Sequence, residues 1–403
     1  MADHARSDHP AVQAQLDRFA QLSPGRDILG LERITALLAT LGNPQERLPP
    51  AFHVAGTNGK GSTCAFLRSI LEAAGKSVHV YTSPHLVRFN ERIRVAGNLI
   101  EDEVLAPLLS EVLNRAEAYN IGASFFEATT AAALLAFSRT PADCCVIEVG
   151  LGGRLDATNV VRPVACGIAQ LGIDHQAFLG TTLAEIAAEK AGIAKDGVPL
   201  VCLAQPQEAL LAVEAVAATS GAPLLLEARD WQIDTTLIPT MAGAHQIRNA
   251  NLAAQMAQIA GIDAVSIHEG IATAHWPARL QKLSSGPLAG RKNIWIDGAH
   301  NPAAAKALAT EVAARPRHLI LGILANKDAD AIVAQLAPHA LSLTFIAVPN
   351  HDSHVPADLA IRWHGRVADG LRAAIAAIDG DILIAGSLYL AGEALRINEQ
   401  LPD

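Results

Sequence analysis

The sequence predicts an α/β protein in two domains, the first built on a parallel sheet, and three observations carry that prediction. Short apolar runs alternate with Ala-rich stretches of helical periodicity. The apolar residues, 50% of the chain, are mostly Ala, Leu, Ile and Val with only 4% aromatic, which suits helices laid on buried strands. A lysine between two glycines, in "HVAGTNGKGST" (53–63), stands where a strand gives way to a helix.

In chain order, "AFHVAG" (51–56) reads as an apolar strand. Phe66, Leu67, Ile70, Leu71 and Ala74 then share one helical face, and Gly75 ends that helix. "SVHVYTS" (77–83) is the next strand, and 144–149, 164–168 and 199–203 are further strands with helices between them. "LSSGPLAGRK" (283–292) breaks the rhythm with Ser, Gly and Pro, so a domain boundary is placed there, giving domains 1–285 and 290–403. Strands resume at 293–296, 319–323, 343–348 and 381–385.

With 403 residues the chain is long enough for two or three domains and needs no covalent staple. Its charge of −9, with no basic stripe, argues against a nucleic-acid partner but leaves room for a small polyanion in a local site. The 5 cysteines include no Cys-x-x-Cys pair, so neither a disulfide framework nor a zinc knuckle is expected. They suit a reducing cytosol. The N-terminus lacks a signal-type apolar core and no apolar run spans a bilayer, so a cytoplasmic protein without a membrane partner is expected.

The Gly-Lys loop departs from the common phosphate-loop spelling. Val54 stands where the first Gly belongs, and Gly61 follows Lys60. Gly56, Gly59 and Gly61 still let backbone N–H groups converge on phosphate at a helix N-terminus. Lys60 reaches the outer phosphates, and Ser62 or Thr63 can contact phosphate or magnesium. The plain alternative is a Gly-rich turn. Glu148 is a carboxylate in an apolar strand, so it needs a magnesium ion, a hydrogen-bond donor or a salt bridge, Arg154 being the nearby candidate. Thr82 and Ser83 end one strand, and Asp174 and His175 follow another. Lys190 shares a helical face with Leu183, Ile186 and Ala187, where a lysine ordinarily snorkels to water. Asp297 and His300 lie past a strand, with Pro302 suited to open a helix, and Gly386-Ser387 ends another strand.

Taken together and in order, "AGTNGKGST", "TSPHL", "FNERI", "EVGLGGRLDATN", "GIDH", "LAEIAAEKAGI", "GAHQIRNA", "WPARLQ", "DGAHNP", "LGILANKD" and "GSLYLAGE" resemble the folylpolyglutamate synthase/dihydrofolate synthase family of the Mur ligase superfamily. The displaced Gly-Lys-Gly-Ser is that superfamily's own phosphate loop. The resemblance implies an N-terminal P-loop ATPase-like domain, a smaller C-terminal Rossmann-like domain, and an active site in the cleft between them. It assigns ATP to Asn58, Gly59, Lys60, Gly61, Ser62, Thr63, Asn249, Arg279 and Asp297. Two Mg²⁺ ions fall to Ser83, Glu148, His175 and a carbamylated Lys190. The pterin falls to Ile28, Leu29 and Gly30, to Ser124, Phe125 and Phe126, and to Leu155, Asp156 and Ala157. Glutamate falls to His300 and Ser387, with Lys60, Lys190 and His300 the catalytic set. Four departures stand out: Ala278 replaces a Gly, Asn326 replaces an Asp, 227–241 is short, and "PNHDSHVP" lacks a usual Arg-Ala.

The implied reaction is an ATP-dependent ligation through an acyl phosphate. L-glutamate attacks the activated carboxylate of 7,8-dihydropteroate or of a folate, in a monomeric enzyme. The rival readings are a Mur-type ligase acting on a UDP-sugar acid, a P-loop nucleotide switch, and a nucleotide-binding module without catalysis.

Overall fold

The computed structural model describes residues 5–22, 29–289 and 292–402, which leaves Ile28 outside the described residues. The chain divides into two compact units, Met1–Thr240 with Gln246–His275, and Met241–His245 with Trp276–Asp403.

The described residues of the first unit form a sheet of eight strands: β1 (Ala51–Ala55), β2 (Val78–Tyr81), β3 (Ile93–Val95), β4 (Asn98–Leu99), β5 (Cys144–Glu148), β6 (Ala165–Ile168), β7 (Leu200–Cys202) and β8 (Leu224–Leu226). Their order is β4-β3-β2-β5-β1-β6-β7-β8. From β2 to β8 all pairings are parallel, while β3 and β4 close one edge antiparallel. Strands β1, β2, β5, β6 and β7 are buried along their whole length, which is why their sequences are mostly apolar instead of alternating. The chain leaves β1 for β2 on one side and later returns past it to β6 on the other. Loops at the C-terminal ends of these strands therefore meet at the switch point, where open α/β sheets hold ligands.

The helix after β1, Lys60–Ala73, runs as the periodicity predicts, and Gly75 follows it at φ +73°. A second helix, Ala264–Thr273, lies against it at very close range. A Cβ on Gly270 would run into the backbone of Ser69 and Ile70, so only glycine lets the two helices approach this far.

The second unit carries β9 (Gln281–Lys282), β10 (Ile294–Ile296), β11 (His318–Leu321), β12 (Ser342–Phe345), β13 (Arg366–Val367) and β14 (Ile382–Ala385), in the order β13-β12-β11-β14-β10-β9. All pair parallel except β9, which is antiparallel to β10. This corrects the boundary drawn at 285–290. The Ser/Gly/Pro stretch is the connection between β9 and β10 inside the second unit, and the division falls at His275/Trp276. Turn residues mark any chain reversal, so composition alone does not separate a connecting loop from a linker. The edge strands β4, β9 and β13 have two residues each and include polar ones, so no apolar run announced them.

Gly270 offers a test of the helix contact that seats the phosphate loop. Gly270→Ala should destabilise by about 1–3 kcal/mol, the usual scale of overpacking. In urea unfolding its midpoint should fall with an unchanged m-value. A midpoint equal to that of the parent protein would show that the helices part freely.

Candidate active site

The phosphate loop starts where β1 ends. Thr57 and Asn58 donate their N–H groups to the Gln170 carbonyl at 2.9 and 3.1 Å, and the Thr57 hydroxyl donates to Gly172 O at 2.9 Å. The loop is thus pinned to the segment after β6. Gly59 adopts φ +87° as the residue before the helix, a left-handed conformation that suits glycine, and a Cβ there would strike the Asn249 amide. The first helical bond is Thr63 N–H to Gly59 O, at 2.8 Å. The amides of Lys60, Gly61 and Ser62 therefore form the first turn, whose N–H groups have no partner within the helix. Ser62 and Thr63 are buried, and their hydroxyl oxygens have no hydrogen-bond partner. Leaving such groups unpaired costs about 1–3 kcal/mol each, which fits a phosphate or a phosphate-bound cation as their partner.

Two lysines meet at one carbonyl. Lys60 Nζ donates to Gly56 O at 3.2 Å and Lys190 Nζ donates to the same oxygen at 3.0 Å. Lys190 is only 3% exposed, so it does not snorkel. Ile186, Ala187 and Lys190 form the buried face of the helix Leu183–Ala191, which points the amine at the loop and away from water.

Glu148, the last residue of β5, lies abreast of Val54 in the parallel register and accepts the Ser83 N–H at Oε2, 3.2 Å. Arg154 pairs with Glu189 at 2.6 Å, so the salt bridge considered for Glu148 is made elsewhere. His175 is half-buried in a left-handed conformation (φ +54°) just before the short helix Gln176–Leu179. Among the described residues no three His, Cys, Asp or Glu side chains cluster to hold a metal. The carboxylate at this edge is that of Glu148, and a single carboxylate with phosphate oxygens and water is an ordinary Mg²⁺ environment.

The segments matched to the pterin converge beside that edge. Ser124 caps the helix Phe125–Arg139 by accepting Glu127 N–H, while Glu127 accepts Ser124 N–H at 2.7 Å and pairs with Arg33 at 3.0 Å. That pair ties the helix Glu32–Thr40, just after Leu29 and Gly30, to Phe125 and Phe126. The Phe126 ring covers Gly150, where a Cβ would penetrate it, and so lies over the chain leaving Glu148. Leu155 and Ala157 flank Asp156, which is 3% exposed and accepts Leu151 N–H and Thr158 N–H at 2.8 and 3.0 Å. Burial raises its pKa against those bonds.

In the second unit, β10 and β14 are neighbours, so Asp297, His300 and Ser387 gather on one edge. Asp297 accepts Leu280 N–H and Ala299 N–H, both at 2.8 Å. Desolvation raises its pKa while the Arg279 charge opposes that rise. His245 beside it is pushed down by burial. Ala278, the residue standing for a glycine, adopts φ +54° and so holds a conformation that glycine takes more easily. The His300 Nδ1 donates to Gly298 O at 2.8 Å. Asn301 caps the helix that Pro302 opens, and Ser387 caps the helix Leu388–Ile397 through Tyr389 N–H.

No family model matches the chain. A folylpolyglutamate synthase of Lacticaseibacillus casei is 36% identical over 89% of the chain and 92% of the relative. The chain belongs to the folylpolyglutamate synthase/dihydrofolate synthase family. It is accordingly an ATP-dependent ligase of folate metabolism, as the resemblance implied. A Bacillus subtilis dihydrofolate synthase/folylpolyglutamate synthase is 37% identical over 70% of this chain and 71% of the relative. The structure of Escherichia coli FolC in complex with DHPP and ADP superposes with a TM-score of 0.88 at 30% identity, over 97% of this chain and 98% of that one. The chain spans about half the length of the two archaeal relatives it matches.

In the sequence His53 is marked only as part of a strand. The structure buries it fully and pushes its pKa from 6.5 down to about 3, through burial first and the Lys195 charge second. A lone histidine within "AFHVAG" was the available signal. Above pH 6.5 it is neutral whether folded or unfolded, and between 6.5 and about 3 only the unfolded chain takes up the proton. Its contribution to stability is therefore lost on acidification, at up to about 1.4 kcal/mol per pH unit. Urea midpoints measured across that window should fall less steeply for His53→Gln than for the parent. Parallel slopes would refute this.

Proposed function

We propose that this chain joins L-glutamate in amide linkage to a pterin-bearing carboxylic acid, 7,8-dihydropteroate or a reduced folylpolyglutamate, with cleavage of ATP. The observation that carries the reading is the convergence at one sheet edge of the buried Ser62 and Thr63 hydroxyls, Lys60, Glu148 and the Phe126 ring. A triphosphate and a flat ring thereby find partners side by side.

A carboxylate is a poor acyl donor, so the γ-phosphoryl group first passes to it and makes an acyl phosphate. Lys60 leaves Gly56 O for the outer phosphates, and the amides of Lys60, Gly61 and Ser62 stabilise the charge that develops during transfer. Asn58, Gly59, Thr63 and Asn249 complete the phosphate side, with Arg279 and Asp297 of the second unit assigned to the nucleotide. Ser83 and Glu148 would hold one Mg²⁺, and His175 with a carbamylated Lys190 a second. Magnesium supplies charge neutralisation on the phosphoryl oxygens. Leu29, Gly30, Ser124, Phe125, Phe126, Leu155, Asp156 and Ala157 hold the pterin, and His300 and Ser387 hold glutamate, whose amine displaces phosphate. Ser387 would keep its capping bond while its helix N-terminus faces a carboxylate.

The direct test is phosphate release from ATP and L-glutamate, with dihydropteroate and a reduced folate supplied separately. Both acids should support release. Extension of folates with no turnover of dihydropteroate would confine the activity to polyglutamylation, and no release with either acid would end the proposal. Lys60→Ala should lower turnover about a hundred- to a thousand-fold, as for loss of one preorganised electrostatic contact. Near-normal ligation by that variant would remove the phosphate-loop assignment.

The carbamate on Lys190 has its own signature. In its neutral form the buried amine adds CO₂ and releases a proton to become an anion. Lys190→Ala should be nearly inactive and partly restored by acetate or formate. Full activity without any added carboxylate would rule the carbamate out.

A further inference from the structure

We infer that Thr158 and His53 are positioning residues for Asp156, so that a histidine on the strand leading into the phosphate loop helps to set the affinity for the pterin-bearing acid. The inference rests on the reading that Asp156 meets the pterin. Its own basis is a chain of three buried side chains.

Thr158 grips one oxygen of Asp156 twice, through its N–H at 3.0 Å and through its hydroxyl, both at Oδ1. Leu151 N–H holds the other oxygen, Oδ2, at 2.8 Å. The hydroxyl has one proton. Given to the carboxylate, that proton leaves Thr158 Oγ1 an acceptor toward His53 Nε2, at 2.8 Å. The direction of the chain is therefore His53 Nε2–H to Thr158 Oγ1–H to Asp156 Oδ1. The remaining ring nitrogen, Nδ1, is buried without a partner. This agrees with the assignment, because a bare lone pair is the cheaper group to leave unpaired than an N–H.

The anchor of the chain is rigid. His53 pairs with Ile147 of β5 and Cys166 of β6, in the middle of the sheet. Asp156 sits at the far end, capping the turn Ala157–Val160. A carboxylate held at both oxygens presents one orientation to the N–H groups of an aminopyrimidinone ring. Without the Thr158 hydroxyl it would lose one donor, and His53 Nε2–H would become a buried donor with no acceptor.

Thr158→Val removes the hydroxyl at nearly constant shape, and Thr158→Ser restores it. We expect Thr158→Val to raise KM for dihydropteroate or reduced folate about tenfold, the scale of one lost hydrogen bond, with kcat and KM for ATP unchanged. Thr158→Ser should stay close to the parent. Asp156→Ala should raise the same KM further, and adding Thr158→Val to it should change nothing more, because threonine acts through the aspartate. If Asp156→Ala leaves that KM unchanged, the pterin assignment of Asp156 fails. If Asp156→Ala raises it and Thr158→Val does not, the assignment stands and the positioning chain is overturned. A rise in KM for ATP equal to that for the acid would also overturn it, since that marks general damage to the loop. Should Thr158→Val not fold, Thr158→Ala gives the same comparison.

Discussion

Everything at the candidate site hangs from the register of β1 between its two parallel neighbours. Val54 lies abreast of Glu148 and Ala55 abreast of Ile168, so the loops after β1, β5 and β6 start at one level. A slip of one residue would turn every side chain of β1 to the other face, taking His53 away from Thr158. All five residues of β1 are buried, so the register is set inside the sheet, away from water. The phosphate loop inherits its position from the strand, and Gln170 then ties the loop to the chain leaving β6.

Around this frame the protein buries polar groups that would be costly if left alone. Lys190 is matched to the Gly56 carbonyl, Asp156 to Thr158 and Leu151, and Glu127 to Arg33 and Ser124. The Lys190–Gly56 and Glu127–Arg33 bonds join segments distant in sequence, so each also closes a loop of the fold. The Ser62 and Thr63 hydroxyls are buried without a hydrogen-bond partner in the first turn after the phosphate loop. A ligand at that helix N-terminus would supply the partner those two hydroxyls need.

The second unit repeats the logic on a smaller scale. Parallel β10 and β14 bring Asp297 and Ser387 to adjacent strand ends, and Ser387 and Asn301 both serve as helix caps. A residue matched to substrate therefore also has a local structural task. Substitution at Ser387 would mix the two effects.

Much of this was legible in the sequence. Continuous apolar runs marked the central strands because burial on both faces removes alternation, and the Gly-Lys-Gly loop, the Asn-Pro helix start and Gly75 are local signals that need no partner. The ordered motifs pointed to the family for the same reason: each is a short stretch whose chemistry is local. Tertiary structure decided the rest. That Lys190 is buried on a carbonyl, that Arg154 serves Glu189, that Gly270 seats one helix on another, and that Ser/Gly/Pro residues lie within the second unit all depend on contacts between remote segments. The chain His53–Thr158–Asp156 is the plainest case. A histidine in a strand and a threonine in a loop have no mark in sequence that pairs them, because only the closed sheet brings them within 2.8 Å.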